Sequence, residues 1–285
     1  LSPMTAIQMA TIHTAKHFRM EEEIGSITPG RLADIILCDS IEKIVPKEVW
    51  FEGKPVADNG VLTAKPEIRK YPDWIKDTVH LLKPVYAERF ELEKIHNGRA
   101  KARIIELIDG QIVNNELHDT LPVKDGKLVC DIDKDYLKLA VVERYGKTGT
   151  IGVGFVKGFK IKKGAMAYSM SHDHHNIVVV GTNDEDMALA ANHIAEIKGG
   201  LCVVDNGRVT ADMALTIGGL MSEGTAEEVA EQLDVMNNAA KALGCEMDAP
   251  FMALSFISLP TVPELGLTDK GLVDVINHKL IDVIL

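Results

Sequence analysis

Cysteine is scarce in this chain and badly spaced for chemistry: Cys38, Cys130, Cys202 and Cys245 stand far apart, with no C-x-x-C pair. That excludes a disulfide framework and a zinc ribbon, and it predicts free, mostly buried thiols in a reducing compartment. Basic clusters are also lacking, and the net charge is −11. Such a balance repels a nucleic-acid backbone or an anionic membrane, so neither is an expected partner. No apolar run reaches the ~20 residues of a membrane span, and no charged-then-apolar export signal opens the chain. A cytoplasmic location is the expectation. An initiator methionine is absent too. Leu1-Ser2-Pro3 instead offers an N-cap serine and a proline at the first helical position, so the chain is expected to be a piece of a longer polypeptide.

What is present suits a soluble protein with a sizeable core. A chain of 285 residues, 46% of them hydrophobic, is long enough for two domains. Apolar spacing continues the opening helix to about His17, and the period then changes to short strands over residues 33–38 and 44–51. Residues 58–85 carry Pro66, Pro72 and Pro84 among charges and read as an exposed crossing. Beyond it, strands are predicted over residues 102–108, 137–145, 177–180 and 201–204. Asn206-Gly207 after the last of these signals a two-residue hairpin into residues 208–210. Two helices are announced by capping boxes, Thr182-x-x-Glu185 and Thr225-x-x-Glu228, and closed by Gly199 and Gly244. The pattern is that of an α+β layered fold. It shows no repeat period.

Three of the ten histidines and a carboxylate fall within Ser171-His172-Asp173-His174-His175-Asn176, beside the apolar run 177–180. Imidazoles at that density bind a divalent metal or move protons, and three readings stand side by side: the wall of an active site, an independent metal site using His172 and His174, or an internally hydrogen-bonded turn. On a strand, His172 and His174 would share one face while Asp173 and His175 took the other, so only a loop could present all four together. His175 and Asp173 are the candidate catalytic groups, with Ser171, His172 and Asn176 as candidate substrate contacts.

Other motifs carry less. Gly149-x-x-Gly152-x-Gly154-x-x-x-Gly158 has the glycine content of a phosphate loop but lacks the Lys-Ser/Thr ending, so it reads as a glycine-rich strand or a mobile lid. The acidic run Asp184-Glu185-Asp186 suits the positive end of a helix dipole. Cys202 and Cys245 have no thiolate-stabilising neighbours in sequence.

Ser2-Pro3-x-x-Ala6-Ile7-x-Met9-Ala10-Thr11-x-His13-x-Ala15, followed by Gly25-Ser26-Ile27-x-Pro29-Gly30-x-x-Ala33-Asp34-Ile35-Ile36, resembles the C-terminal end of a metal-dependent amidohydrolase. Further on, Ser171-His172-Asp173-x-His175-Asn176-Ile177 with Gly181, and the ending Pro260-x-x-Pro263-Glu264-Leu265-x-Leu267-Thr268-Asp269-Lys270-Gly271-Leu272, resemble the C-terminal portion of bacterial-type adenine deaminases.

The resemblance implies a last barrel helix at 1–20, strands of a small β-domain at 21–57, the crossing at 58–85 and an α+β C-terminal domain at 86–285. It also implies hydrolysis of adenine to hypoxanthine and ammonia, with manganese or iron held by ligands that, in the family pattern, all precede Leu1. His172-x-His174 imitates the family's His-x-His spelling but lies far beyond the small β-domain, where the pattern has no metal strand. The expected partners are therefore adenine, an upstream barrel portion and, because half a β-domain leaves strand edges open, further copies in a homo-oligomer. The chain alone is expected to be inactive. Two alternatives stand beside this: an assembly or regulatory module, and an amidohydrolase acting on another cyclic amidine or amide.

Overall fold

The computed structural model describes residues 1–64, 70–93 and 98–285, so Pro66 of the expected crossing lies outside the described residues. Two units divide the chain, Leu1–Lys70 and Tyr71–Leu285.

The first unit opens as the sequence announces. Ser2 accepts a hydrogen bond from the Thr5 amide, and α1 (Pro3–Gln8) passes through a π-helical turn (Met9–His13) into α2 (Thr14–His17). Gly25, at a φ of +95°, lies so close that a Cβ there would sit 2.8 Å from that of Ala15, the buried residue of this helix. Pro29-Gly30 makes the turn, with the Arg31 amide donating to Thr28. The strands β1 (Ile35–Leu37), β2 (Glu48–Phe51), β3 (Lys54–Asp58) and β4 (Val61–Leu62) then form an antiparallel meander in chain order. Asp34 anchors it by accepting from the Glu52 amide at 2.8 Å. The sheet thus runs past residue 57, into the stretch expected to be a crossing. Lys54-Pro55-Val56 escaped detection because a proline weakens any strand pattern.

Within the rest of that stretch two side chains, Val79 and Val85, lack the exposure expected of a crossing. Residues 72–93 belong to the second unit, with 3-10 turns at Asp73–Lys76 and Ala87–Phe90, and Val79, Val85 and Phe90 are buried. Three apolar side chains spaced among prolines have no period, so only the packed structure shows them to be core.

A nine-stranded sheet dominates the second unit. Its strands are β5 (Gly98–Leu107), β6 (Asn114–Lys124), β7 (Lys127–Leu128), β8 (Leu137–Val142), β9 (Ile151–Lys157), β10 (Ala165–Tyr168), β11 (Ile177–Gly181), β12 (Gly200–Asp205) and β13 (Arg208–Ala214). The order is β13-β12-β10-β11-β8-β9-β5-β6-β7, antiparallel except where β5 meets β9. Asn206-Gly207 makes the β12–β13 hairpin as predicted.

Both faces of the central strands are covered, which is why they read as unbroken apolar runs. Ile177 and Val179 of β11, with Cys202 and Val204 of β12, face α3 (Asp184–Glu196), which buries Met187, Ala190, Ala191 and Ile194. Val178, Val180, Leu201 and Val203 face the other way, towards α4 (Ala226–Ala242) and α5 (Pro250–Phe256). A smaller antiparallel sheet of β14 (Leu265–Thr268), β15 (Gly271–Asp274) and β16 (Lys279–Ile281) packs on that second core through Leu265, Leu267 and Leu272. The mixed α+β expectation holds.

Helix caps were half right. Thr225 and Glu228 form the expected capping box. At α3, however, the cap is Asn183, whose side chain accepts from the Asp186 amide, while the Thr182 hydroxyl donates to Gly164. A threonine and an asparagine in tandem compete for the same role, and tertiary contact decides between them.

The glycine-rich stretch is neither a phosphate loop nor a lid. Residues 151–157 are the strand β9, bonded to β8 on one side and to β5 on the other. A Cβ on Gly152 would lie 1.9 Å from the carbonyl oxygen of Thr268, so the β14–β15 hairpin crosses β9 where a side chain is missing. A Cβ on Gly154 would meet only Leu267 side-chain atoms at 3.5 Å, an ordinary contact. Gly152→Ala is therefore expected to destabilise the protein by upwards of about 2 kcal/mol, and Gly154→Ala by much less, in urea unfolding midpoints. Equal effects would contradict this packing.

Candidate functional site

The histidine cluster occupies the connection between β10 and β11, and it is a turn rather than a strand. The two-face division expected for a strand therefore does not apply. A different division replaces it, between residues that build the turn and residues that the turn displays.

Ser171, His174 and Asn176 build it. The Ser171 hydroxyl donates to the Asn176 carbonyl at 2.8 Å, and the His175 amide donates to Ser171 O at 2.8 Å. Nδ1 of His174 accepts from the Asn176 amide at 3.1 Å, which leaves its Nε2 as the protonated nitrogen, donating to Ser258 O at 3.1 Å. The Tyr145 hydroxyl donates to His174 O at 2.7 Å. His174 has no nitrogen left for a ligand. Burial holds its pKa below the ordinary imidazole value, with positive charge on His175 acting in the same direction.

His172, Asp173 and His175 are the displayed groups. Among the described residues, none of their side chains makes a hydrogen bond or an ion pair. His172 is steadied through its amide, which donates to Ser255 O, and by its ring, edge-on to Phe256 with centroids 4.5 Å apart. Asp173 is exposed. His175 has a φ of +52°, a left-handed conformation that turns its half-buried ring away from the strand path. Its pKa lies below the usual value, first from burial and then from the nearby charges of Arg144 and His172, with Asp173 opposing.

Strand ends from elsewhere frame the turn. Asn176 is tied through both side-chain atoms: Oδ1 accepts from the Arg144 amide at 3.3 Å, and Nδ2 donates to Asp269 Oδ1 at 3.3 Å. Arg144, just beyond β8, is 2% exposed and donates to the carbonyls of Ser169, Gly218 and Gly219. Burial lowers its pKa. Next to it, Glu143 accepts from the amides of Tyr145, Lys147, Thr148 and Gly149. Burial raises the Glu143 pKa, but these amides outweigh it and hold the carboxylate below its usual range. Sequence reading missed Arg144, Tyr145, Ser258 and Asp269 as neighbours of the cluster. The only local signal was a Glu-Arg pair ending an apolar strand.

The divalent ion implied by the resemblance does not fit these residues. Among the described residues no three His, Cys, Asp or Glu side chains are placed to hold a metal. The candidate pair His172 and His174 fails because His174 spends both nitrogens on the protein.

The sequence profile of the adenine deaminase C-terminal domain matches residues 111–279, and that of the amidohydrolase family matches residues 1–80. The chain belongs to the adenine deaminase C-terminal domain family. It is 52% identical to an adenine deaminase of Desulforamulus reducens over 284 residues, covering 100% of this chain and 48% of that protein. An adenine deaminase of Clostridium botulinum is 44% identical over 274 residues, covering 96% and 46%, and one of Moorella thermoacetica is 41% identical over 285 residues, covering 100% and 48%. The chain thus spans about half the length of these relatives. The adenine deaminase C-terminal domain match contains the whole turn, its frame from β8, and the Asp269 tip. No helix among the described residues is long and apolar enough to cross a membrane.

The buried imidazole gives a pH dependence. The folded pKa of His174 lies below 6.5, so between that value and 6.5 the unfolded chain binds more protons than the folded one, and stability falls with acidification. Unfolding free energy is expected to drop between about pH 7.5 and about pH 5.5 by more in the native protein than in His174→Gln. Parallel curves for the two would contradict a buried neutral imidazole.

Proposed function

We propose that this chain is the C-terminal portion of an enzyme that hydrolyses adenine to hypoxanthine and ammonia, and that the turn at residues 171–176 forms one wall of its active site. The observation that carries the proposal is the division of the cluster. A braced, buried set of residues displays two imidazoles and a carboxylate whose side chains make no hydrogen bond or ion pair among the described residues. The adenine deaminases that match along nearly the whole chain supply the substrate.

In this reaction a water adds to C6 of the purine ring, and the exocyclic amine departs with an added proton. The chain offers His175, held neutral by burial and by the charge of Arg144, as a group that takes a proton from the incoming water or passes one to the amine. Asp173 offers an acceptor to the amine's hydrogens, and His172 a third polar contact at the rim. Ser171 and Asn176, the other two candidate substrate contacts, act from within the turn by fixing its shape. Manganese or iron belongs, on this reading, to the upstream barrel, and no step assigned to this chain passes through it.

The end of the barrel is assigned to α1 and α2, in line with the amidohydrolase match. The exposed Ile36, Leu37, Phe51, Val61 and Leu62 of the first unit suit cover by the upstream portion or by a second copy in a homo-oligomer.

Purified chain incubated with adenine and manganese is expected to form no hypoxanthine by chromatography, because among the described residues no three His, Cys, Asp or Glu side chains are placed to hold a metal. Measurable turnover would refute that. With the upstream portion restored, His175→Ala and Asp173→Ala are each expected to lower kcat by about 10²-fold with subunit assembly intact. Loss of assembly with full turnover per assembled enzyme would make the chain an assembly module instead.

A further inference from the structure

Asp269 sits at the tip of the β14–β15 hairpin, far in sequence from the turn at residues 171–176. Its carboxylate faces no cation among the described residues, and both oxygens accept from neutral donors. Oδ2 accepts from the Thr150 hydroxyl at 2.6 Å, and Oδ1 from Asn176 Nδ2 at 3.3 Å. Those donors belong to different strands. Thr150 precedes β9, Asn176 precedes β11, and β8 lies between them in the sheet. The end of β8 joins the same group, since the Arg144 amide donates to the other side-chain atom of Asn176. One carboxylate therefore ties the starts of β9 and β11 directly, and the end of β8 through Asn176.

The tip itself has little freedom. Thr268 pairs with Gly271, leaving Asp269 and Lys270 as a two-residue turn, and the Thr268 hydroxyl bonds both the Gly271 carbonyl and the Lys270 amide. Leu265, Leu267 and Leu272 anchor the hairpin in the core, and the bare Cα of Gly152 fixes where it crosses β9. Surface ornament does not require such anchoring.

We propose that Asp269 is a positioning residue for the functional turn: by holding Asn176, it sets the orientation in which His175 and Asp173 are displayed. This rests on the active-site reading above for its consequence in catalysis, but not for its structural content. Asn176 transmits the constraint because its amide bonds His174 Nδ1 and its carbonyl accepts from Ser171. If the Asn176 side chain rotates, both bonds that close the turn are disturbed. Displacement of a proton-transferring group by about 1 Å costs on the order of 10²-fold in rate, so a modest relaxation is enough to be measured.

Two substitutions separate geometry from charge. Asp269→Ala removes both hydrogen bonds, while Asp269→Asn keeps the shape and a bonding pattern that Thr150 can meet by rotating its hydroxyl. In the chain itself, amide hydrogen exchange followed by NMR is expected to speed up about tenfold or more at His175 and Asn176 in Asp269→Ala, with no change at Val229 in α4. Asp269→Asn is expected to restore most of the protection. In the enzyme with its upstream portion restored, Asp269→Ala is expected to lower kcat by about tenfold or more with KM within about twofold, and Asp269→Asn to recover most of kcat.

Unchanged exchange at His175 and Asn176 in Asp269→Ala overturns the proposal, as does equal impairment by the two variants, which would make the charge and not the bonding decisive. Should Asp269→Ala fail to fold, Thr150→Ala serves, since it loosens one arm alone: faster exchange at Asn176 supports the latch and native exchange refutes it. The exchange result is read without turnover. An enzyme inactive on adenine but loosened by Asp269→Ala refutes the functional reading and leaves the latch standing.

Discussion

Four adjacent strands, β12, β10, β11 and β8, bury both faces, and their ends therefore cannot leave polar groups to water. Most polar groups at these strand ends find hydrogen-bond partners within the protein, because an unpaired buried polar group costs about 1–3 kcal/mol; Arg144 Nε and Ser258 Oγ are the exceptions beside the turn. This constraint explains why the β10–β11 connection is so densely bonded. Ser171, His174 and Asn176 lie in the sequence as a polar interruption between apolar runs, and the fold engages the side chain of each in hydrogen bonds. Arg144 and Glu143 meet the same demand at the end of β8, one by reaching three carbonyls and the other by gathering the amides of the following loop.

Because the inner residues are fully occupied, the outer ones become conspicuous. His172, Asp173 and His175 are carried on a rigid turn, yet among the described residues none of their side chains contributes a hydrogen bond to it. Groups held in place without structural employment are what a binding or catalytic surface needs, since their orientation is fixed by neighbours and their chemistry is free. The lowered pKa of His175 fits this division. Burial and the adjacent guanidinium favour the neutral ring, which is the form able to accept a proton near neutrality.

Helix starts, hairpins and the apolar strands were legible because their determinants are local. Ser2-Pro3, Pro29-Gly30, Asn206-Gly207 and the Thr225 capping box act over a few residues, and the structure retains all of them. Three regions were not fully legible. Val79 and Val85 are core residues in a proline-studded stretch without a period, β9 read equally as a strand or a lid because its glycines are needed where another hairpin crosses it, and Asn183 displaced Thr182 as a cap through the packing of β10. In each case the deciding contact comes from a residue distant in the chain.

The site divides along the same line. The sequence by itself determined that histidines and a carboxylate would gather within six residues beside a buried strand, because proximity in the chain guarantees proximity in space. Only the tertiary structure decided which of them would be spent and which displayed. That choice depends on Arg144 and Tyr145 after β8, Ser258 after α5 and Asp269 at the tip of the β14–β15 hairpin, which the packing of two opposed cores rather than any local pattern brings to the turn.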